Sequence, residues 1–326
     1  MKRPVRRGLN AVLAALAVAG GLWGALALYF GLRIPPPVPA VLAAGFALTM
    51  VACLLGLPGW RRWAAAAGLF VLVLAWWASL TPSNDRMWEP EYSRTTSVTR
   101  DGNTVRFQNI RNAAWSPDGS VRLRYYDADF QLSQLDEVDL VCSYWAGDNI
   151  AHVFLSFGFR DGRHLAVSVE TRRERGAPWS ALAGFFRRYE LIYVVADERD
   201  LIGARTDARR ERVYLYRLRA TPAEQRALFL SYVDRIHSLA ERPEFYNTLL
   251  NNCTTNVVGR ANAAARVIPF SWMILFSGHA DRYAYDLGRM DSDLPFEALK
   301  PASLIHRPDD SVPNAGFSAE IRRGLP

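Results

Sequence analysis

The chain has 326 residues, 50% of them hydrophobic, 12% aromatic and 22% charged, and carries a formal charge of +7. That much apolar and aromatic material excludes a disordered solvating tail. A basic balance first suggests nucleic acid, but the N-terminal segment points to export. Anionic lipid headgroups suit exported arginines better, with a solvated basic face as the plain alternative.

Residues 9–32, 34–60 and 63–84 carry no charge, and each run holds a stretch close to the roughly twenty apolar residues that cross a bilayer as a helix. Pro35, Pro36 and Pro37 part the first run from the second, and Arg61 and Arg62 part the second from the third, predicting spans near 9–31, 39–58 and 63–81. A cleaved signal peptide does not suit the first run, which is too long and lacks a clear small-residue cleavage site. Lys2, Arg3, Arg6 and Arg7 precede the first span and Arg61 and Arg62 follow the second, against a lone Arg33 in the other loop. The positive-inside rule then puts the N-terminus and the 59–62 loop in the cytoplasm. Three spans carry the rest across, dividing the chain into a 1–82 membrane anchor and an 83–326 exported domain large enough for one substantial core. Trp76, Trp77 and Trp88 fit an aromatic belt, although Trp76 and Trp77 equally fit contacts with neighbouring helices.

The exported part opens with "TSVTRDGNTVRF", a hairpin around Asp101-Gly102-Asn103, then a "SPDG" turn. Strand-like runs follow at "VRLRYYDADF", "VDLVCSYW", "AHVFLSFGF", "HLAVSVE", "YELIYVV" and "RVYLYRL". The period then changes: Thr221 as N-cap, Pro222 and Glu224 in a capping box open a helix whose Leu228, Phe229, Tyr232, Val233, Ile236 and Leu239 recur at helical spacing. Strands followed by helices predict an α+β fold.

In the hairpin 151–171, Val153, Leu155, Phe157 and Phe159 alternate on one strand and Leu165, Val167 and Val169 on the other. Residues directly opposite each other share a face, so this parity forbids a two-residue Asp161-Gly162 turn and requires a three-residue loop, Arg160-Asp161-Gly162. In that register His152 faces Glu170, and the rest of their face (Phe154, Ser156, Gly158, His164, Ala166 and Ser168) is small enough for a helix to lie against it. His164 then sits opposite Gly158, roughly 20 Å from His152 at about 3.3 Å per residue, and reads as a surface strand residue.

"NNCTTNVV" places Cys253 at a helix start, capped by Asn251 or Asn252 and continuing through "TTNVVGRANAAARV". A cysteine in a first helical turn feels the positive end of the dipole and gains thiolate character. It also needs a base and an orienter, which His152 and Glu170 supply if the helix docks on the small-residue face. The plain readings are a packed thiol or a disulfide with Cys142, itself in a strand; Cys53 lies in a membrane span and packs. His237, His279 and His306 have no evident acidic partner and no metal-ligand spacing, so neither zinc nor another cofactor is expected. Ser156 and Ser168 lack a nucleophile context and read as merely small.

"AHVFLSFGFRDGRHLAVSVETRRERG", "RRYELIYVVADERD", "RVYLYRL" and "FYNTLLNNCTTNVV" together resemble the Lnb N-terminal periplasmic domain family of bacterial envelope proteins. The resemblance runs on through "LFSGHADRYAYDLGRMDSDLPFEALK" and so covers most of residues 120–305. It implies a permuted papain-like fold, an antiparallel sheet with packed helices, in which the histidine strand precedes the cysteine helix. The "NC" at a helix start also resembles the lecithin:retinol acyltransferase group, which moves fatty acyl chains through a cysteine thioester. This chain departs from that group in lacking a second histidine, and Glu170 would take the orienting role.

The resemblance thus implies Cys253 as nucleophile, His152 as base and lipoprotein N-acylation as the reaction. The donor would be a phospholipid and the acceptor an amine such as a lipoprotein N-terminus. The protein would sit in the bacterial inner membrane with its C-terminal domain periplasmic. Tyr246, Asn252, Arg172, Arg173 and Glu174 fall in matching motifs; they either position substrate or scaffold the domain, the latter favoured for the arginines. Two other classes stand beside this one. A cysteine hydrolase would use the same dyad on peptidoglycan stem peptides or lipid amides, in an open polar cleft instead of a deep apolar groove. A binding scaffold would hold Cys253 in a disulfide or away from His152.

Overall fold

The structure, a computed structural model, describes residues 2–116, 118, 120–264, 267–308 and 313–326, with residues 2–6 described for their backbone. Pro117 and Gly119 of the expected "SPDG" turn lie outside the described residues. Two compact units emerge: Met1–Ser83 with Pro178–Glu190 and Phe245–Thr248, and Asn84–Ala177 with Leu191–Glu244 and Leu249–Pro326.

The first unit contains α1 (Lys2–Gly31), α2 (Val38–Gly56) and α3 (Arg61–Ser79), all long and apolar enough to cross a membrane. Their outer faces expose leucine and valine, as a helix surrounded by lipid does. Ala27, Val73 and Phe186 form a buried cluster against which Trp23, Trp76 and Trp77 pack. Trp76 and Trp77 therefore follow the neighbouring-helix reading. Arg33 reaches the buried Glu190 at 3.0 Å, and the Arg187 guanidinium lies 4.0 Å from the Trp77 ring.

The second unit is built on a mixed eight-stranded sheet. Its strands are β1 (Ser97–Asp101), β2 (Thr104–Arg111), β5 (Tyr125–Gln131), β6 (Leu135–Ala146), β7 (Ile150–Phe159), β8 (His164–Arg172), β9 (Glu190–Asp197) and β10 (Arg212–Arg217), after a small separate hairpin of β3 (Ala114–Trp115) with β4 (Val121–Arg122). The order is β1-β2-β9-β8-β7-β6-β10, with β5 also pairing β2. The expected strand "VRLRYYDADF" is thus split between β4 and β5, because the Arg124 carbonyl turns to accept from Asn112 N–H at 2.8 Å. The helices are α4 (Glu198–Leu201), α5 (Pro222–Glu241), α6 (Cys253–Ala263), α7 (Trp272–Leu275), α8 (Ala280–Asp286), α9 (Phe296–Ala302) and α10 (Phe317–Glu320). Trp88 lies in this unit, buried beneath the Arg172 guanidinium at 4.3 Å, and so is not part of an interfacial belt.

The β7–β8 register runs from Gly158↔His164 to Leu155↔Val167, as the parity requires. Phe159 N–H donates to the Arg163 carbonyl at 2.9 Å and closes the three-residue loop, with Gly162 at φ +83° in the left-handed conformation that glycine tolerates. The helices, however, dock differently from the expectation. Phe157 and Phe159 receive Phe229 of α5, and Val153 and Leu155 share an apolar cavity wall with Val257 and Val258 of α6. The small-residue face is covered instead by Leu201 and Ile202 after β9 and by Phe317 and Ile321 at the C-terminus, around Phe154 and Ala166. Both faces are buried, so apolar alternation does not reveal which one receives the cysteine helix.

Candidate active site

Asn252 adopts extended backbone before α6, and its Oδ1 accepts from Thr255 N–H at 2.9 Å while Asn252 N–H donates to Thr255 Oγ1 at 2.9 Å. This reciprocal cap fixes where the helix begins and leaves Cys253 in its first turn, where the dipole favours a thiolate. Asn251 instead accepts from Asn256 at 2.9 Å. The helix ends at Ala263, short of the expected Val267.

The β7–β8 ladder stops at Leu155↔Val167, so His152, Ser168 and Glu170 meet as side chains beyond its end. His152 Nε2 lies 2.6 Å from Ser168 Oγ and 3.2 Å from Glu170 Oε1. Ser168 donates to Glu170 Oε1 at 2.8 Å, so its own oxygen is left to accept from His152 Nε2–H. In the neutral imidazole that leaves Nδ1 as the acceptor, and Cys253 lies close enough for His152 and the Val153 amide to lower its pKa. Arg205 donates to the same Glu170 Oε1 at 2.8 Å and is itself held by the Leu201 carbonyl at 2.7 Å. It stands on a wide helical turn, Ala204–Ala208, where Arg209 N–H reaches back to the Ala204 carbonyl at 3.1 Å.

Charges around the thiol favour an ion pair. Burial opposes ionisation of Cys253, but the facing His152, with the Val153 amide, prevails and pulls the thiol below its ordinary pKa. Burial opposes the imidazolium, as does the Arg205 charge, but Glu170 and Cys253 together prevail and His152 is pushed up to about 9. Burial would raise Glu170, but the His152 and Arg205 charges hold it well below the usual carboxylate range. All three shifts run in the direction of a Cys253 thiolate, a His152 imidazolium and a Glu170 carboxylate. Cys142 lies nearby, fully buried, with its thiol pushed well up by burial. Both Cys142 and Cys253 are free, so the disulfide reading does not hold.

Ser168 is more than merely small, since it bonds both His152 and Glu170, and Arg205 joins them. Ser168 was legible, since it shares a face with Glu170 two residues away. Arg205 was not, because nothing local brings it to a strand 35 positions earlier. Ser156 is likewise more than small, donating to Glu198 at 2.6 Å. His164 is not a surface residue: its Nε2 meets Glu137 Oε1 at 2.9 Å with its side chain 12% exposed. His237 does have an acidic partner, Glu241 at 3.4 Å.

The remaining candidates are engaged in other contacts. Arg172 is buried, with donors to the Tyr92 carbonyl at 2.9 Å and Asn84 Oδ1 at 3.0 Å; Arg173 pairs with Glu91 at 3.4 Å and Glu174 with Arg86 at 3.8 Å. This packing favours scaffolding for all three. The Asn252 side chain is engaged in the cap. Tyr246 belongs to the first unit, where its N–H donates to the Tyr189 carbonyl at 3.0 Å and its ring closes over Gly184. Among the described residues no group of three or more His, Cys, Asp or Glu stands together to hold a metal ion.

A mainly aliphatic cavity, with about 940 Å³ of empty space including its open mouth, runs along one face of α6. Val153 and Thr254, chain neighbours of His152 and Cys253, wall it together with Leu155, Val257, Val258 and Ile274.

Residues 122–278, which carry His152, Glu170 and Cys253, match the model of the Lnb N-terminal periplasmic domain family. No curated protein and no solved structure matches the chain significantly. With the three apolar helices, the match gives a membrane-anchored protein with a periplasmic domain.

Proposed function

We propose, from the premise of an Lnb-type domain on a membrane anchor, that the protein is a thiol acyltransferase at the periplasmic face of the bacterial inner membrane, its N-terminus cytoplasmic. It takes a fatty acyl chain from a phospholipid and passes it through a Cys253 thioester to an amine, the N-terminus of a lipoprotein being the acceptor that the family suggests. The observation that carries this reading is an aliphatic cavity walled by Val153 and Thr254, the chain neighbours of His152 and of a cysteine whose pKa is lowered. A chain of methylenes gains by entering such a space, whereas a peptide would leave its amides unpaired there.

The reaction follows from the side chains. The Cys253 thiolate attacks the acyl ester carbonyl, and amides of the first α6 turn face the developing oxyanion. As the carbon–oxygen bond breaks, the His152 imidazolium gives its proton to the departing glycerol oxygen, leaving a thioester and a neutral imidazole. The amine then attacks the thioester, His152 takes its proton, and the thiolate leaves as the amide forms. Glu170, with Ser168 and Arg205, keeps His152 in one tautomer and one orientation throughout.

The test is a transfer assay with phospholipid bearing deuterated acyl chains and a diacylglyceryl-cysteine peptide with a free amine. The expected product is deuterated amide on the peptide, absent with Cys253→Ala. Release of the label only as free fatty acid, with the amine present in excess, would replace this reading with the hydrolase.

A further inference from the structure

We infer that residues 267–276 form a membrane-contacting flap, its outer side meeting the headgroup–acyl boundary of a phospholipid bilayer and its inner side walling the apolar cavity. The segment, "VIPFSWMILF", has no charge in ten residues. Val267 is 83% exposed, Phe270 78%, Trp272 53% and Phe276 52%, while Ile274 is buried and with Ile268 lines the cavity. Ile268 N–H is tied to Asn262 Oδ1 at 2.7 Å and the Pro269 carbonyl to Tyr283 Oη at 2.7 Å, and the Trp272 ring packs edge-on against Phe276 and His279. These apolar side chains are therefore held outward on a fixed frame.

A patch of this kind marks a contact surface, and its chemistry selects the occupant. Aromatic and aliphatic side chains without lysine, arginine or carboxylate suit the interfacial zone of a bilayer, whereas a protein interface ordinarily adds a polar rim and arginine. Three helices able to cross a membrane lie in the same chain, so lipid is always within reach. Ile268 and Ile274 of this segment line the cavity that Thr254 and Val257 also wall, so one apolar run joins the outer surface to the cavity along α6. This contact does not depend on the reaction assigned to Cys253.

The full chain is reconstituted in nanodiscs of phosphatidylethanolamine and phosphatidylglycerol containing a phospholipid with a diazirine in its acyl chain, then illuminated and digested with trypsin. Peptide 267–282 should be labelled several-fold above peptide 101–106 from the β1–β2 turn, equally in the native protein and in Cys253→Ser. Replacing Phe270, Trp272 and Phe276 by serine should bring it down to that background, with labelling of α1, α2 and α3 unchanged. Where near-UV circular dichroism shows that this variant does not fold, Phe270→Ser alone replaces it. Background labelling in the native protein, labelling that survives in a folded variant, or crosslinks from this segment to a second copy would each overturn the inference.

Discussion

The β7–β8 hairpin carries a histidine–glutamate pair at either end, and the two ends are built differently. Near the turn, His164 meets Glu137 at 2.9 Å, and Glu137 also pairs with Arg217 at 2.5 Å and faces Arg322 at 3.6 Å. At the open end, His152 meets Glu170 at 3.2 Å, with Arg205 at 2.8 Å. The two histidine side chains are about equally exposed, at 12% and 15%, so burial does not separate them. The ladder does: it includes Gly158↔His164 and ends before His152, and at that end a capped helix brings a cysteine near enough to shift the histidine. A histidine–carboxylate pair is therefore a joint by default, and a nearby thiol turns it into a candidate reaction centre.

That contrast orders the expected effects. Cys253→Ala should abolish transfer in the lipid-to-amine assay with the fold intact by circular dichroism. His152→Ala should lower transfer by roughly a hundred- to ten-thousand-fold, the range for loss of a general acid–base. Next is Glu170→Gln, which weakens a charged hydrogen bond of about 1.5–3 kcal/mol and should cost about ten- to a hundredfold in kcat/KM.

The pH profile of transfer should be bell-shaped. Activity rises as Cys253 ionises, below the ordinary thiol pKa, and falls as His152 loses its proton near about 9. In Glu170→Gln the alkaline limb should move to lower pH, because the charge that raises His152 is gone; an unmoved limb would show that Glu170 does not act through His152. The smallest effect belongs to the other end: His164→Gln should leave transfer unchanged and lower stability by about 1 kcal/mol, read from a denaturation midpoint. A large loss of transfer there would erase the distinction between the two pairs.

Much of this was legible in the chain. Parity alone set the hairpin register and the left-handed Gly162, and the asparagine before Cys253 announced a helix start. Docking of α6 was not legible, because β7 is buried on both faces and its alternation does not say which layer covers which. Arg205 was hidden for a related reason: its pairing with Glu170 depends on how the segment after β9 folds back across the sheet. The charge-free run 267–276 was visible as letters, but only the structure gives it an inner and an outer side.

The central claim rests on one bond, the thioester at Cys253. Intact mass spectrometry of the full-length protein after incubation with phospholipid, beside Cys253→Ser, tests it most directly. The account predicts a fatty-acyl mass increment that hydroxylamine removes and that the serine variant never gains by a hydroxylamine-labile route. A folded protein whose Cys253 stays unmodified in phospholipid, with no amine present to discharge it, would contradict the account.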